Sequence, residues 1–117
     1  MESWFDQYQK VVRAQPRLDD SWFIDALAFS RSGNEIAMRR IKGSCLETVL
    51  DIVMSKWNNQ LGIDILELLQ DANYALDNVL AAFPGSTAGE FVQFLGTSTM
   101  ETVDSIIDQK RCRDSGG

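Results

Sequence analysis

The longest amphipathic pattern in the chain is LGIDILELLQDANYALDNVLAAF, residues 61–83. Its apolar residues recur at alternating spacings of four and three, which places them on one stripe of an α-helix. This stripe consists of Ile65, Leu69, Ala72, Leu76, Val79 and Phe83. Asp64 is a suitable N-cap, and Pro84-Gly85 ends the helix. The pattern predicts one continuous helix that buries this stripe, and we expect the other helices to be organised around it.

The opposite side of the same helix is polar. It carries a second stripe, which consists of Glu67, Gln70, Asp71, Tyr74 and Asn78. Because the apolar stripe has to be buried against other elements, the polar stripe is free to meet a partner.

Four further helices are indicated by apolar residues at helical spacing between start and stop signals. They span about residues 3–13, 19–32, 34–57 and 88–110, and their N-cap candidates are Ser3, Asp19 or Asp20, and Asn34. Residues 34–57 supply a predicted core of Ala37, Ile41, Cys45, Leu46, Val49, Leu50, Val53 and Trp57. The last helix contains GTST at residues 96–99, a poor helix former that favours a kink. No stretch alternates with period two, so the predicted fold is all-α, a compact bundle of four to five helices.

The length and composition are typical of a single domain. The chain has 117 residues, of which 44% are hydrophobic. We expect one domain in residues 1–113, with an extra N-terminal helix in residues 1–16 and a disordered tail at 114–117. The sequence shows no apolar run of about 18 residues and no signal peptide. Together with two distant cysteines, Cys45 and Cys112, this predicts a cytoplasmic protein with reduced thiols.

Charge is distributed unevenly along the chain, whose formal net charge is −6. Eight of the eleven basic residues precede residue 57, and no lysine or arginine occurs in residues 57–109. That span holds eight acidic residues: Asp64, Glu67, Asp71, Asp77, Glu90, Glu101, Asp104 and Asp108. A surface of this sign repels nucleic-acid phosphates, because DNA binding draws its affinity from cations that displace counterions.

The residue types needed for catalysis are sparse. The chain has no histidine, so its serine, threonine and cysteine side chains lack the usual general base, and a zinc site lacks a usual ligand. Gly85, Gly89 and Gly96 do not have the spacing of a phosphate-binding loop and have no lysine beside them. We therefore expect no enzyme, no cofactor and no metal site.

Two sets of residues permit both a structural and a functional interpretation. Phe91 and Phe94 suit core packing, or stacking on single-stranded bases, although no cation lies near them in sequence. Arg39, Arg40 and Lys42 suit a solvated helix face, or a contact with an acidic partner. The sequence leaves both alternatives open.

Three stretches of the sequence occur in an order that is found in a known family. The first is SGNEIA at residues 32–37, followed by Ile41 and Leu46. The second is residues 64–76, with ELLQD at 67–71, and the third is FPGSTAGEFVQFL at 83–95. Together they resemble region 2 of bacterial RNA polymerase sigma factors, especially the extracytoplasmic-function type, and the third is similar to sigma-like proteins of planctomycete-type bacteria. The resemblance covers roughly residues 21–113 and leaves the first helix as an addition.

The resemblance implies a docking function for the helix in residues 61–83. In the family, the polar face of this helix docks on the coiled coil of the polymerase β′ clamp. The positions that match here are Glu67, Gln70, Asp71, Asn73 and Tyr74. We therefore expect the partner to be the RNA polymerase core, through its β′ clamp, or an anti-sigma protein, and we expect no membrane partner.

In the family, the turn and helix that follow melt promoter DNA and recognise the −10 element. This chain departs from the family at positions that are often basic or aromatic, which here are Glu47, Pro84, Glu90, Gly96, Thr97 and Met100. Each lost phosphate contact reduces the slope of log binding constant against log salt concentration by about 0.9. The resemblance thus implies a degenerate DNA-binding face, with weak or absent promoter binding. The candidates for any DNA contact are Phe91, Phe94, Lys110, Arg111 and Arg113.

The leading hypothesis is a sigma-like domain that docks on polymerase or on an anti-sigma partner. One alternative is a working sigma factor that binds and melts −10 promoter DNA. Another is a stand-alone helical interaction module that is unrelated to polymerase. The chain ends where a linker to the second DNA-binding domain of the family, region 4, would begin, so we expect that domain either to follow or to be missing.

Overall fold

Six α-helical segments and no strand occur in the part of the chain that the computed structural model describes, which is residues 3–58 and 61–116, with side chains up to residue 111. In chain order they are α1 (Trp4–Arg13), α2 (Asp20–Arg31), α3 (Glu35–Lys56), α4 (Ile65–Tyr74), α5 (Leu76–Ala82) and α6 (Ala88–Gly116). Ala75 alone separates α4 from α5, so the two count as one broken helix and the described residues form five helices. The prediction of an all-α bundle of four to five helices is confirmed.

Four of the helices begin at N-caps that the sequence predicts. These caps are Ser3 for α1, Asp19 for α2, Asn34 for α3 and Asp64 for α4. Each side chain accepts a hydrogen bond from a backbone N–H two or three residues further on, which satisfies a donor that the helix leaves unpaired. The tight link from α2 to α3 passes through Gly33, whose φ of 95° lies in the left-handed region that glycine adopts without strain.

Helix α3 runs through the middle of the bundle. None of its residues from 41 to 50 is exposed, and it packs against α1, α2, α4 and α6. Its most deeply buried side chains are Ile41, Cys45, Val49, Leu50 and Val53. The expectation that the segment in residues 61–83 organises the fold is therefore wrong, because that segment lies on one side of α3.

The segment in residues 61–83 is also not the single helix that the sequence predicts. It breaks at Ala75, and neither proline nor glycine lies beside the break to signal it. The predicted stripe is buried at Leu69, Ala72, Leu76, Val79 and Phe83, and partly buried at Ile65. Leu68 and Leu80, which the prediction leaves out, are buried as well. The buried face is therefore wider than a four-three stripe, because the segment packs against two neighbouring helices, α3 and α6.

Helix α6 continues through the stretch where the sequence favours a kink. Its buried residues recur every four positions, at Phe91, Leu95, Thr99, Val103 and Ile107. Packing of this row against α3 outweighs the weak helix propensity of residues 96–99. The backbone of α6 extends to Gly116 and so includes residues 114–116 of the tail that the sequence predicts to be disordered, and residue 117 lies outside the described part.

One hydrophobic core joins all six segments. It includes Val12 from α1, Phe23 from α2, Leu50 from α3, Leu68 from α4, Leu80 from α5 and Leu95 from α6. Helix α1, which the family resemblance does not cover, therefore shares the core of the remaining chain. Among the described residues, no helix combines the length and the apolar character needed to cross a membrane.

Replacing Leu50 by alanine should lower the free energy of unfolding by about 2–5 kcal/mol, because it removes a fully buried side chain from the central helix. Met54 lies one turn further along α3 and is exposed, so Met54→Ala should cost less than about 1 kcal/mol. Urea denaturation of both variants measures the two values. Equal losses would contradict the central position of Leu50.

Candidate protein-docking site

The outward face of α4 carries four of the five residues predicted for docking. Glu67, Gln70, Asp71 and Tyr74 are all exposed, and the exposed fraction of Tyr74 is 84%. The opposite face of the helix is buried through Leu68, Leu69 and Ala72. Because that face is anchored in the core, the four exposed residues lie on a rigid element and not on a loop.

Asn73, the fifth predicted docking residue, makes a contact between two helices. It is half-buried, and its side-chain amide donates a hydrogen bond of 3.1 Å to the hydroxyl oxygen of Tyr8 on α1. This bond joins α4 to the helix that lies outside the family resemblance. Asn73 is therefore engaged within the fold, and it is less accessible to a partner than the other four predicted residues.

Lys110 on α6, a predicted DNA-facing residue, contacts two of the predicted docking residues, Glu67 and Asp71. Its ammonium group donates a hydrogen bond to the carboxylate of Glu67 and lies 3.4 Å from that of Asp71. The hydrogen bond with Glu67 is the main cause that raises the pKa of Lys110, against an opposing effect of burial. The exposed fraction of the lysine side chain is 16%. Lys110 thus neutralises part of the acidic face of α4, and its charge is not presented to a phosphate.

A cleft of about 510 Å³ adjoins the Lys110 ion pairs. It is larger than a second cleft of about 410 Å³, which lies between α2 and α3. The larger cleft separates α4 from α6, and its polar lining consists of Glu67, Asp71, Tyr74, Asn78, Thr102, Gln109 and Lys110. An exposed tyrosine ring beside carboxylate and amide groups suits a polar or basic segment of a protein partner.

The aromatic candidates for DNA contact belong to the core. Phe91 is buried, and its ring centroid lies 5.1 Å from that of Phe23 and 5.0 Å from that of Phe83. Phe94 is half-buried, with its ring 5.6 Å from that of Phe83. The interpretation of Phe91 as a stacking platform is therefore wrong, and its core interpretation is confirmed. A shallow groove that Phe94 lines also holds the carboxylate of Glu90, which opposes a phosphate.

The remaining DNA candidates lie near the end of α6. Arg111 is exposed on this helix, next to Lys110. The side chain of Arg113 lies outside the described part of the chain. The DNA candidates therefore do not form one basic, aromatic surface with Phe94, because Lys110 is paired with the carboxylates of α4.

The loop at residues 83–87 is fixed by side chains that the sequence analysis did not assign. Thr87 and Glu90 form a capping box: the backbone N–H of Glu90 donates to the Thr87 hydroxyl at 3.2 Å, and that of Thr87 donates to the Glu90 carboxylate at 3.3 Å. Asp20 accepts a further bond of 2.7 Å from the backbone N–H of Ala88. The spacing Thr-x-x-Glu before an apolar run is the signal that could have predicted this cap.

The same loop is held from the other end of α2. The guanidinium of Arg31 donates to the carbonyl oxygens of Phe83 at 2.9 Å and of Gly85 at 3.0 Å. A Cβ atom on Gly85 would lie 2.8 Å from the ring of Phe83, so the loop requires glycine there. The third stretch of the family resemblance therefore has a structural role in this chain, which is to place the start of α6.

Most acidic residues in the span of residues 57–109 serve the fold. Asp64 caps α4, and the Glu90 carboxylate completes the capping box of α6 by accepting from the Thr87 N–H. Asp77 lies 2.6 Å from Lys42 and Asp104 lies 2.8 Å from Lys56, while Glu67 and Asp71 bind Lys110. The uneven charge of the sequence thus becomes pairing between helices, and the acidic surface left for a partner is smaller than the sequence indicates.

The basic residues early in α3 do not form one patch. Lys42 is paired with Asp77, and Arg39 lies 3.9 Å from Glu35 in an exposed pair. The guanidinium of Arg40 lies 4.8 Å above the ring of Trp22. Of the three, Arg39 and Arg40 keep an exposed charge that a partner could meet.

The reactive side chains of the described residues offer little chemistry. Cys45 is a free thiol in the core, as predicted, and burial raises its pKa to about 12. A thiol of that pKa carries almost no thiolate at neutral pH, so it is a poor nucleophile. In the same residues, no group of three or more cysteine, aspartate or glutamate side chains is arranged to hold a metal ion.

No protein-family model matches this chain, and comparison with curated proteins likewise finds no match. The family resemblance therefore depends on the three stretches of sequence alone. The candidate site residues themselves lie on α4 and on α6.

Replacing Glu90 by glutamine should destabilise the protein at neutral pH but not in acid. Hydrogen bonds from the Thr87 hydroxyl and from the backbone N–H groups of Ser86 and Thr87 lower the pKa of Glu90 from its ordinary value. The stabilisation that depends on its charge is therefore complete above the unfolded pKa and is lost as pH falls through the lower folded pKa. Urea denaturation of wild type and variant between pH 3 and pH 7 measures the difference.

Thr87→Val supplies the control, because it removes the hydroxyl that contributes most to this shift. In that background, Glu90→Gln should have a smaller effect at neutral pH. A difference between wild type and Glu90→Gln that persists unchanged at the lowest pH would contradict the charged capping box.

Proposed function

We propose that this chain is a sigma-region-2-like helical domain that acts in bacterial transcription by docking on the β′ clamp of RNA polymerase or on an anti-sigma partner. The observation that carries the proposal is the exposed face of α4, on which Gln70 and Tyr74 stand free beside Glu67 and Asp71. This is the face that the family resemblance assigns to docking. A cytoplasmic location follows from the proposed partner.

The ion pairs of Lys110 determine how a partner would reach this face. Gln70 and Tyr74 are open to direct contact, whereas Glu67 and Asp71 already bind the lysine. The lysine side chain is largely covered, but the two carboxylates remain exposed, so a cation on the partner can approach them from the solvent side. We therefore expect the partner to bind first through Gln70 and Tyr74 and then to compete for the carboxylates.

Direct promoter melting receives less support from the same residues. Phe91 is buried, Glu90 is charged where phosphate would approach, and Lys110 is paired. Our proposal accordingly gives promoter DNA a weak role or none. It also assigns action by binding and not by catalysis, in keeping with the buried Cys45 thiol and the lack of histidine.

Binding of the chain to an immobilised β′ clamp fragment tests the proposal. Gln70→Ala combined with Asp71→Arg should weaken binding roughly tenfold or more, since it removes one exposed contact and reverses one charge. Gln93→Ala combined with Glu101→Arg makes the same chemical changes at exposed positions of α6 and should leave affinity unchanged. Thermal unfolding followed by circular dichroism verifies that both variants are folded.

Equal binding by wild type and the α4 variant would contradict docking through this face. An equal loss in the α6 control would also contradict it. A pull-down from bacterial extract that returned neither polymerase nor an anti-sigma protein would favour the stand-alone interaction module.

A further inference from the structure

The groove between α2 and the beginning of α3 is lined by apolar side chains that the core leaves exposed. Its volume is about 410 Å³, and Trp22, Phe29, Ile36 and Ala37 supply most of its apolar lining. The exposed fraction is 59% for Phe29 and 78% for Ile36. Neither residue belongs to the docking face of α4, so this surface is separate from the site proposed above.

The backbone of Phe29 is held in a defined position although the side chain is exposed. Its carbonyl oxygen accepts hydrogen bonds from the backbone N–H of Asn34 at 3.0 Å and from the hydroxyl of Ser32 at 2.8 Å. These bonds close the turn between α2 and α3 around the phenylalanine. A large aromatic side chain on a rigid backbone loses little conformational freedom on binding, which is a property of residues that anchor interfaces.

The charged residues of the groove stand on opposite walls. Asp25 projects from α2 and Arg40 from α3, and both line the groove. Neither forms an ion pair among the described residues, although Arg40 lies over Trp22. The groove is therefore locally neutral, with one unpaired charge of each sign.

We propose that this groove is the interface of a two-fold symmetric dimer of the chain. In such an interface the same patch meets itself, so Asp25 of one protomer faces Arg40 of its partner, and the reverse pair forms at the same time. A groove with charges of only one sign would favour a partner of the opposite charge. One acidic and one basic residue on opposite walls instead complement a second copy of the same groove. The two Phe29 side chains then lie near the two-fold axis and cover the apolar lining.

Sedimentation equilibrium of the whole chain tests this proposal. We expect the wild type to dimerise with a dissociation constant of about 1–100 µM, in the range of a small interface. Phe29→Ala should weaken dimerisation roughly tenfold or more, because it removes the anchor. Val11→Ala, at a position on α1 with 60% exposure, is the matched control and should leave it unchanged.

Charge exchange distinguishes a symmetric dimer from other associations. Asp25→Arg and Arg40→Asp should each give monomers, because each places like charges opposite one another twice. An equimolar mixture of the two variants should recover a heterodimer, and the double variant D25R/R40D should recover a homodimer. Circular dichroism of each variant establishes that it is folded, and recovery on mixing could not arise from unfolded chains.

Three results would overturn the proposal. The first is a wild type that stays monomeric up to about 1 mM, which would leave the groove to a different protein. The second is a dimer that Phe29→Ala does not weaken. The third is a failure of both the mixture and the double variant to dimerise. None of these results bears on docking through α4, since that assay uses other residues.

Discussion

Helix α3 passes through the middle of the bundle, and the apolar contacts it makes there determine where its neighbours lie. Burial of a large aliphatic side chain such as Leu50 contributes roughly 1.5–3 kcal/mol, whereas an exposed ion pair contributes about 0–1 kcal/mol. The ion pairs at the rim of α3, Arg13 with Asp51 and Lys56 with Asp104, therefore orient helices that the core already holds. Apolar burial supplies the stability, and charge pairing helps to specify which helix lies beside which.

This division of roles limits what the surface can do. Most acidic residues of the second half of the chain cap helices or bind lysines, so acidic charge alone does not define a binding face. Surfaces that keep groups the fold does not use include Gln70 and Tyr74 on α4 and the groove around Phe29. The loop that resembles the DNA-melting segment of sigma factors is instead fixed by Arg31 and by its own capping box. In this chain that loop therefore has a structural role, which is to place the start of α6.

The helix starts could be predicted because an N-cap such as Asn34 acts on residues two or three positions away. The bundle class followed from the same local periodicity. The break at Ala75 could not be predicted, because neither proline nor glycine lies beside it. The pairing of Lys110 with Glu67 joins residues 43 positions apart, and only the crossing of α4 and α6 brings them together. The hydrogen bond between Asn73 and Tyr8 could not be predicted for the same reason, since Tyr8 lies on α1.

Native-state hydrogen exchange measures the central position of α3 most directly. Amides in the buried middle of α3 should exchange only through global unfolding, with a free energy of opening equal to that from denaturation. Amides of α1 and of the last turns of α6 should open at lower free energy, because these elements lie at the edge of the core. If the middle of α3 exchanged at a lower free energy than α4 and α6, the bundle could not be organised around it.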